Sequence, residues 1–215
     1  MKKTFLSLMV ISSAIFYSCT SGEKKNEETT TNSEPICFYE FDKTASTTVK
    51  WTAFKTTAKV GVGGAFDQVN VTVGEKSTKI TEVLQTIKFT IPTSSTNTGN
   101  PDRDAKIVES FFGTMEGTNL IIGQVKLAEG DNVAGKCTVY LTINNIEGEV
   151  TLNYTVTDNV VALNGEIDLL NWSGDAAIAA LNKVCEDLHK GEDGVTKLWS
   201  VVELNIESTL KKECN

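Results

Sequence analysis

The 215-residue sequence has few of the residue types that catalytic and nucleic-acid-binding proteins depend on. It contains one histidine, His189, and one arginine, Arg103. A lone arginine and a formal net charge of -8 leave no basic stripe, which argues against nucleic-acid binding. One histidine and no Gly-x-Ser-x-Gly motif also leave no arrangement typical of a Ser–His–Asp hydrolase. We therefore do not expect an enzyme.

Motifs for metals and cofactors are missing as well. The sequence has no CxxC pair, and its glycines at 61, 63 and 64 lie in strand-like sequence rather than between a strand and a helix, so they do not form a phosphate-binding loop. His189 follows Cys185 by four residues, a spacing that could place two metal ligands on one helix face. We interpret His189 instead as a residue at a polar helix end, where the helix dipole favours positive charge. We expect no metal and no cofactor.

The one apolar run near the N-terminus, residues 5–16, is too short to span a bilayer comfortably. It follows a basic start and precedes Tyr17-Ser18-Cys19, which is the layout of a secretory signal peptide over residues 1–18. A cysteine directly after a small residue resembles a bacterial lipobox, in which the cysteine is lipidated and becomes the new N-terminus. Cys19 is therefore the predicted lipidation site, and an ordinary cleaved secretory peptide is the alternative.

Residues 19–36 combine the predicted lipidated cysteine with a polar stretch of Thr, Ser, Asn, Glu and Lys, which predicts a disordered tether. Thr20 is not the aspartate that commonly signals inner-membrane retention, so the pattern favours an exported outer-membrane lipoprotein, facing the periplasm or the cell surface. Removal of the two lysines of the signal peptide leaves the chain still more negative, so acyl chains would have to hold it at the membrane. Residues 37–215 are a normal size for one domain.

Four cysteines remain after Cys19, and an even number in an exported protein permits two disulfides with three possible connectivities. A bridge between Cys37 and Cys214 would tie together the two ends of the folded part. Spacing alone does not choose among the connectivities of Cys37, Cys137, Cys185 and Cys214.

Most of the domain has the two-residue alternation of β-strands. In residues 49–55, Val49, Trp51 and Ala53 alternate with polar residues, and the glycines that follow allow a bend or bulge before Phe66. The pattern predicts further strands at residues 37–42, 69–73, 79–92, 119–128, 134–144, 149–157, 160–170 and 196–208. Short strands at such regular spacing predict a mainly β fold, a closed antiparallel β-barrel.

Two helices are predicted as insertions in this barrel. Asn100 is a good N-cap and Pro101 suits the first turn, so a helix should run from there to about Gly113. Phe111 and Phe112 should pin this helix over one barrel end, and Arg103 and Asp104 should form structural ion pairs. A second helix is predicted at residues 176–188, with Asp175 as its N-cap.

Several stretches resemble the YceI-like family of polyisoprenoid-binding, lipocalin-like barrels. They are Val49-Lys50-Trp51-Thr52-Ala53-Phe54-Lys55 running to Gly64-Ala65-Phe66, then Arg103-Asp104-Ala105-Lys106-Ile107 with Phe111-Phe112, and finally residues 165–172 with the helix end at 185–191. The sequence is similar to lipoprotein members from Bacteroidetes-type bacteria. It departs from the family at Lys55 and Lys106, where the family often has histidine.

The resemblance implies a hollow, lipocalin-like barrel that binds an isoprenoid or another long-chain lipid, such as a polyisoprenoid or a prenyl quinone, in an apolar lumen. Lys55 and Lys106 would contact an anionic head group, and the alternative is that both are solvated surface lysines. The predicted ligand-binding residues are Trp51, Phe54, Lys55, Phe66, Phe89, Ile91, Arg103, Lys106, Phe111 and Phe112. The competing hypothesis is a structural or interaction lipoprotein whose barrel is filled by its own side chains.

Overall fold

The computed structural model describes residues 35–215. The predicted signal peptide (1–18), the predicted lipidation site Cys19 and all but the last two residues of the predicted tether (19–36) lie outside the described residues. Contacts within Pro35–Asn215 form one compact unit. None of the helices in this part of the chain is long and apolar enough to cross a membrane.

Strands account for most of the regular structure. Their bounds are β1 (Cys37–Phe41), β2 (Thr48–Lys55), β3 (Val60–Phe66), β4 (Asn70–Thr72), β5 (Lys88–Pro92), β6 (Thr96–Asn97), β7 (Leu120–Gly130), β8 (Ala134–Ile143), β9 (Ile146–Thr157), β10 (Val160–Asp168) and β11 (Leu198–Cys214). The helices are α1 (Ile80–Leu84), α2 (Pro101–Lys106), α3 (Asp175–Val184) and α4 (Glu186–His189), with a π-helical turn at Ile107–Phe111 and 3₁₀ turns at Thr93–Ser95, Phe112–Thr114 and Leu169–Trp172.

All strands belong to one antiparallel sheet in the order β4-β5-β7-β8-β9-β10-β11-β2-β3-β6, with β1 paired to the far end of β11. Strand β9 illustrates why the sequence forms it. Val150, Leu152 and Tyr154 are buried, whereas the residues between them, Thr151 and Asn153, are exposed. The alternation gives each strand one face for the barrel interior and one face for water.

One bent segment, residues 88–97, contains both the second strand of this order, β5, and its last strand, β6. Its first part, β5, pairs with β7, and its last part, β6, pairs with β3. The 3₁₀ turn between them is stabilised by hydroxyls, because Ser95 Oγ donates to the Pro92 carbonyl at 2.7 Å and Thr96 Oγ1 donates to the Thr93 carbonyl at 2.8 Å. The sheet therefore curls into an antiparallel, lipocalin-like barrel, and the predicted fold class is confirmed.

Helices cover the two ends of the barrel. At one end, the amide of Ile80 in α1 donates to Asn132 Oδ1 in the β7–β8 turn at 2.8 Å. At the other end, Asn144 Nδ2 in the β8–β9 turn donates to the Trp172 carbonyl at 2.9 Å, just before α3. These two turns lie at opposite ends of β8, so α1 and α3 lie at opposite ends of the barrel. Helix α3 also packs against the π-helical turn.

One predicted strand is wrong in its first half. Residues 79–92 contain α1 followed by β5 rather than a continuous strand. Ile80, Val83 and Leu84 are at most 2% exposed, and their i, i+3, i+4 spacing places them on one face of a helical turn. Burial of that face against the barrel outweighs the β-propensity of the β-branched residues in the segment.

The two predicted helices form largely as expected. Asn100 is the N-cap of α2, and its Oδ1 accepts a hydrogen bond from the Arg103 amide at 3.1 Å. The helix continues through the π-helical turn to Thr114. Gly174, rather than the predicted Asp175, is the N-cap of α3. The helix α1 is an addition to the two predicted.

Of the possible disulfides, Cys37–Cys214 forms and joins β1 to the end of β11. Within residues 35–215 a second bridge does not form, because Cys137 lies in the middle of β8 facing the packed interior and Cys185 follows the last turn of α3. Both are buried free thiols. Burial raises the pKa of Cys137 to about 12, which keeps this thiol protonated.

Candidate ligand-binding cavity

The interior of the barrel is partly hollow. A cavity of about 550 Å³ extends between the inward faces of the strands and the helices α2 and α3. This volume lies within the range of about 300–1,000 Å³ that is typical of small-molecule sites. Its wall includes all ten predicted ligand-binding residues: Trp51, Phe54, Lys55, Phe66, Phe89, Ile91, Arg103, Lys106, Phe111 and Phe112. Whether they contact a ligand stays a prediction.

Trp51 shows how the wall is built. It projects inward from β2 and lies across Gly64 of β3, where an added Cβ would come within 2.7 Å of Trp51 Cε2. A glycine is therefore required opposite the indole. The register between β2 and β3 is unbroken, so the glycines do not mark the bulge that the sequence suggested. The reason for Gly64 is the close approach of a large ring.

The indole of Trp51 also has an unusual polar environment. Its Nε1 is buried and has no hydrogen-bond partner among residues 35–215. By contrast, Trp172 Nε1 donates to the Leu141 carbonyl at 3.1 Å and Trp199 Nε1 donates to the Thr56 carbonyl at 2.7 Å. A buried donor without a partner costs free energy. Trp51 thus lacks, within the described chain, the hydrogen bond that each of the other two tryptophans makes.

Two phenylalanines close the wall beneath α2. The rings of Phe111 and Phe112 meet edge to face, with centroids 5.0 Å apart, and Phe112 also packs on Phe66 at 6.3 Å. Phe111 is buried. The end of the π-helical turn and the start of the 3₁₀ turn that follows it place these two consecutive aromatic residues toward the barrel. This agrees with the prediction that the pair holds the helix over one barrel end.

Three cations border the cavity at this end. Lys55 ends β2, and Arg103 and Lys106 lie one turn apart on α2. Lys55 Nζ donates to the Leu188 carbonyl at 2.8 Å. Within the described chain, none of the three lies within 4.0 Å of a carboxylate. The cations are therefore available to an anion at the cavity mouth.

The predicted ion pairs of Arg103 and Asp104 do not form within residues 35–215. Asp104 Oδ1 instead accepts hydrogen bonds from the Thr98 amide at 2.8 Å and from Thr98 Oγ1 at 2.6 Å. These bonds fasten the start of α2 to the loop that follows β6. Asp104 is occupied in this way, and Arg103 has no carboxylate within 4.0 Å in the described chain, although Asp102 also borders the cavity.

Sequence reasoning missed the wall contributed by α3, α4 and β11. His189 was expected at a polar helix end, yet it is 8% exposed and borders the cavity. Its Nδ1 lies 2.9 Å from Asn182 Oδ1. Burial, and then the positive charge of Lys55, hold the pKa of His189 below its usual value. In the sequence, the i, i+4 spacing of Cys185 and His189 could have indicated that the two residues share one helix face, and both are buried. No group of three or more metal-ligating side chains occurs in the described part of the chain.

The buried imidazole predicts a pH dependence of stability. Because the pKa of His189 is lowered in the folded state, the unfolded state binds more protons, so the free energy of unfolding should fall as the pH drops below about 6.5. Urea unfolding between about pH 7.5 and pH 5 measures this slope, above the range where carboxylates titrate. His189→Gln, which keeps a polar partner for Asn182, should flatten it. Equal slopes in the two proteins would contradict the prediction.

Comparisons with known proteins identify a family and solved structures that this chain resembles. The YceI-like domain family matches residues 39–208. A polyisoprenoid binding domain from Saccharophagus degradans, implicated in plant cell wall breakdown, aligns with a TM-score of 0.57 and 14% identity, over 85% of this chain and 100% of that chain. Burkholderia cenocepacia BcnA aligns with a TM-score of 0.56 and 14% identity, over 77% and 96%. At such low sequence identity, the structural superpositions show a shared fold.

A YCEI protein from Campylobacter jejuni aligns with a TM-score of 0.50 and 20% identity, over 73% of this chain and 86% of that chain. No curated protein sequence matches the chain. The family match begins within β1 and extends into β11, so it covers the barrel, α2 and α3. The chain therefore belongs to the YceI-like domain family.

Proposed function

We propose that this protein binds an elongated amphiphile, such as a polyisoprenoid or a prenyl quinone, in the lumen of its barrel. The observation that carries the proposal is an apolar cavity of about 550 Å³ bordered at one end by three cations that have no carboxylate within 4.0 Å among residues 35–215. An apolar tail gains about 0.8 kcal/mol for each methylene removed from water. The cations add recognition of a polar or anionic head.

The volume sets the size of the enclosed part of the ligand. If each carbon takes up about as much space as a water molecule in the liquid, about 30 Å³, the cavity holds roughly 18 non-hydrogen atoms. A tail of this size corresponds to a few isoprene units. Longer chains would extend out of the mouth. The relative from Saccharophagus degradans is described as a polyisoprenoid binding domain, which supports the same ligand class here.

We propose that the protein acts in the bacterial envelope, anchored to the outer membrane through lipidated Cys19. The disulfide Cys37–Cys214 supports export, because such bonds persist in oxidising compartments. The basic start, short apolar run and cysteine of residues 1–19 support lipidation. A tether of polar residues would let the barrel move beside the membrane that holds its ligand.

A matched pair of probes tests the head-group contacts of Lys55 and Lys106. Geranylgeranyl diphosphate and geranylgeraniol share a tail and differ in charge. Each lysine should contribute a charge-assisted contact to the diphosphate, so Lys55→Ala/Lys106→Ala should weaken its binding by about a hundredfold and leave the alcohol nearly unaffected. Titration by isothermal calorimetry or by tryptophan fluorescence measures both dissociation constants.

Lys50→Ala provides the control, since Lys50 is exposed and its side chain alternates to the outer face of β2. It should leave both dissociation constants unchanged. Native mass spectrometry of protein purified from its own source should in addition reveal a co-purifying lipid mass. The proposed function fails if no lipid co-purifies and neither probe binds the wild-type protein. If both probes bind equally to the double variant and to the wild type, the two lysines are solvated surface residues.

A further inference from the structure

The surface around the cavity mouth next to Lys55 combines exposed apolar side chains with aromatic rings and lysine. We propose that this surface docks on a lipid bilayer, so that a ligand passes between bilayer and cavity without crossing bulk water; this rests on the proposed function. The surface, called the docking rim below, consists of Phe54, Lys59, Val60, Leu188 and Trp199.

The apolar residues of the docking rim lie directly beside the mouth. Val60 pairs with Lys55 where β2 and β3 end, and 48% of its surface is exposed. Leu188 is 59% exposed, lines the cavity and accepts the hydrogen bond of Lys55 at its carbonyl. A ligand that enters beside Lys55 therefore passes these two side chains. Within the described chain, about half of each of these residues stays exposed to water.

The aromatic residues form the outer part of the docking rim. Lys59 Nζ lies 5.6 Å from the ring centroid of Phe54 and 4.8 Å from that of Trp199. Trp199 is fixed by its hydrogen bond to the Thr56 carbonyl, and Lys197 Nζ covers its ring at 3.4 Å. Amphipathic rings and long lysine side chains are the residues that occupy the boundary between hydrocarbon and water. Both rings also border the cavity.

The charges around the docking rim indicate which bilayer it fits. Four lysines at this end, Lys55, Lys59, Lys190 and Lys197, are equal in number to the acids of α4 and the following loop, which are Glu186, Asp187, Glu192 and Asp193. On α2, Arg103 and Lys106 are likewise equal in number to Asp102 and Asp104. One of these acids, Asp193, accepts a hydrogen bond from Thr57 Oγ1 at 2.6 Å in the β2–β3 turn, so the acidic loop adjoins the rim. The local balance gives little attraction to anionic lipid. Docking should instead rest on insertion of apolar and aromatic groups, which depends weakly on salt.

The occupant to which these observations point is the surface of a zwitterionic bilayer. A tail that dissolves in a membrane would have to expose all of its apolar area if it crossed water between membrane and cavity. A mouth whose border enters the bilayer interface keeps the tail in an apolar environment throughout. The docking rim is continuous with the cavity wall, because Phe54, Leu188 and Trp199 belong to both.

Vesicles of phosphatidylcholine with brominated acyl chains test the proposal, using the predicted mature chain, residues 19–215, with Cys19→Ser so that neither the signal peptide nor an acyl anchor contributes. In the wild-type protein, the bromines should quench the fluorescence of Trp199. Trp199→Phe should lose this quenching, although Trp51 and Trp172 still fluoresce. Val60→Glu, at a rim residue outside the cavity wall, should lower vesicle binding, and the rate of geranylgeraniol transfer from vesicles, by about tenfold. The dissociation constant for geranylgeraniol added directly should not change.

Val133→Glu is the matched control. Val133 is an exposed apolar residue, at 65%, and it lies in the β7–β8 turn at the opposite end of the barrel. This variant should bind vesicles and accept ligand as the wild type does. Equal transfer rates in Val60→Glu and Val133→Glu overturn the docking proposal but leave the proposed function intact. Failure of geranylgeraniol to bind wild-type protein in direct titration overturns the function itself. Association with other proteins from the envelope, in place of vesicles, also contradicts the bilayer as occupant.

Discussion

Replacement of Ala53 by tryptophan should abolish ligand binding while the barrel stays folded. Ala53 points into the cavity from the middle of β2, opposite Val62 and Val202, which also line it. An indole at this position would occupy space that the tail needs. If it excludes as few as about five methylenes, binding weakens by about 4 kcal/mol, close to a thousandfold. The loss should be the same for geranylgeraniol and for geranylgeranyl diphosphate.

The neighbouring residue supplies a control of the same chemistry. Thr52 alternates to the outer face of β2, beside Glu203 of β11, so Thr52→Trp adds the same ring outside the barrel. Dissociation constants and urea unfolding should be measured for both variants. Thr52→Trp should bind as the wild type does. If Ala53→Trp is well folded and still binds either probe with wild-type affinity, the lumen is not the binding site.

Removal of the disulfide between Cys37 and Cys214 should produce the largest change in stability. The bond closes a loop with a sequence separation of 177, so its loss frees an unusually large set of unfolded conformations. Cys37→Ser/Cys214→Ser should lower the free energy of unfolding by about 2–5 kcal/mol. Urea unfolding in the absence of reductant measures the difference.

Reductant provides the control for this variant. Dithiothreitol should lower the stability of the wild-type protein toward that of Cys37→Ser/Cys214→Ser and should leave the variant unchanged. Cys137 and Cys185 are free and buried, so they contribute no second reducible bond within the described residues. If reductant destabilises both proteins alike, the stabilising bond is a different one.

The strand pattern was readable from the sequence because each strand has one wet face. In β9 the alternation of Val150 and Leu152 with Thr151 and Asn153 predicts both the strand and the side that faces inward. The inward positions of β2, β3 and β5 then identify Trp51, Phe66 and Phe89 as wall residues. The site residues on α2 were found through the family resemblance, since nothing in their own spacing points to a cavity.

The remaining parts depend on contacts between segments that are distant in sequence. The segment of α1 contains β-branched residues, and only its burial at the barrel end selects the helix. His189 reads as a solvated helix end until α4 is packed beside Lys55. The cysteine pairing also follows from register, because Cys37 and Cys214 face each other in the β1–β11 ladder. Each of these contacts joins segments distant in sequence, so local sequence patterns alone do not determine it.

The disulfide also decides how the protein carries a mechanical load. The chain enters the fold at Pro35, two residues before Cys37, so a pull from the N-terminal side reaches the covalent bond almost at once. Without that bond, such a force would peel β1 from β11 one residue pair at a time. With it, tension passes directly to the end of β11, a 17-residue strand held by β1, β2 and β10. If the N-terminal side anchors the barrel to the envelope, a force on that anchor would therefore act on the longest strand of the barrel, β11.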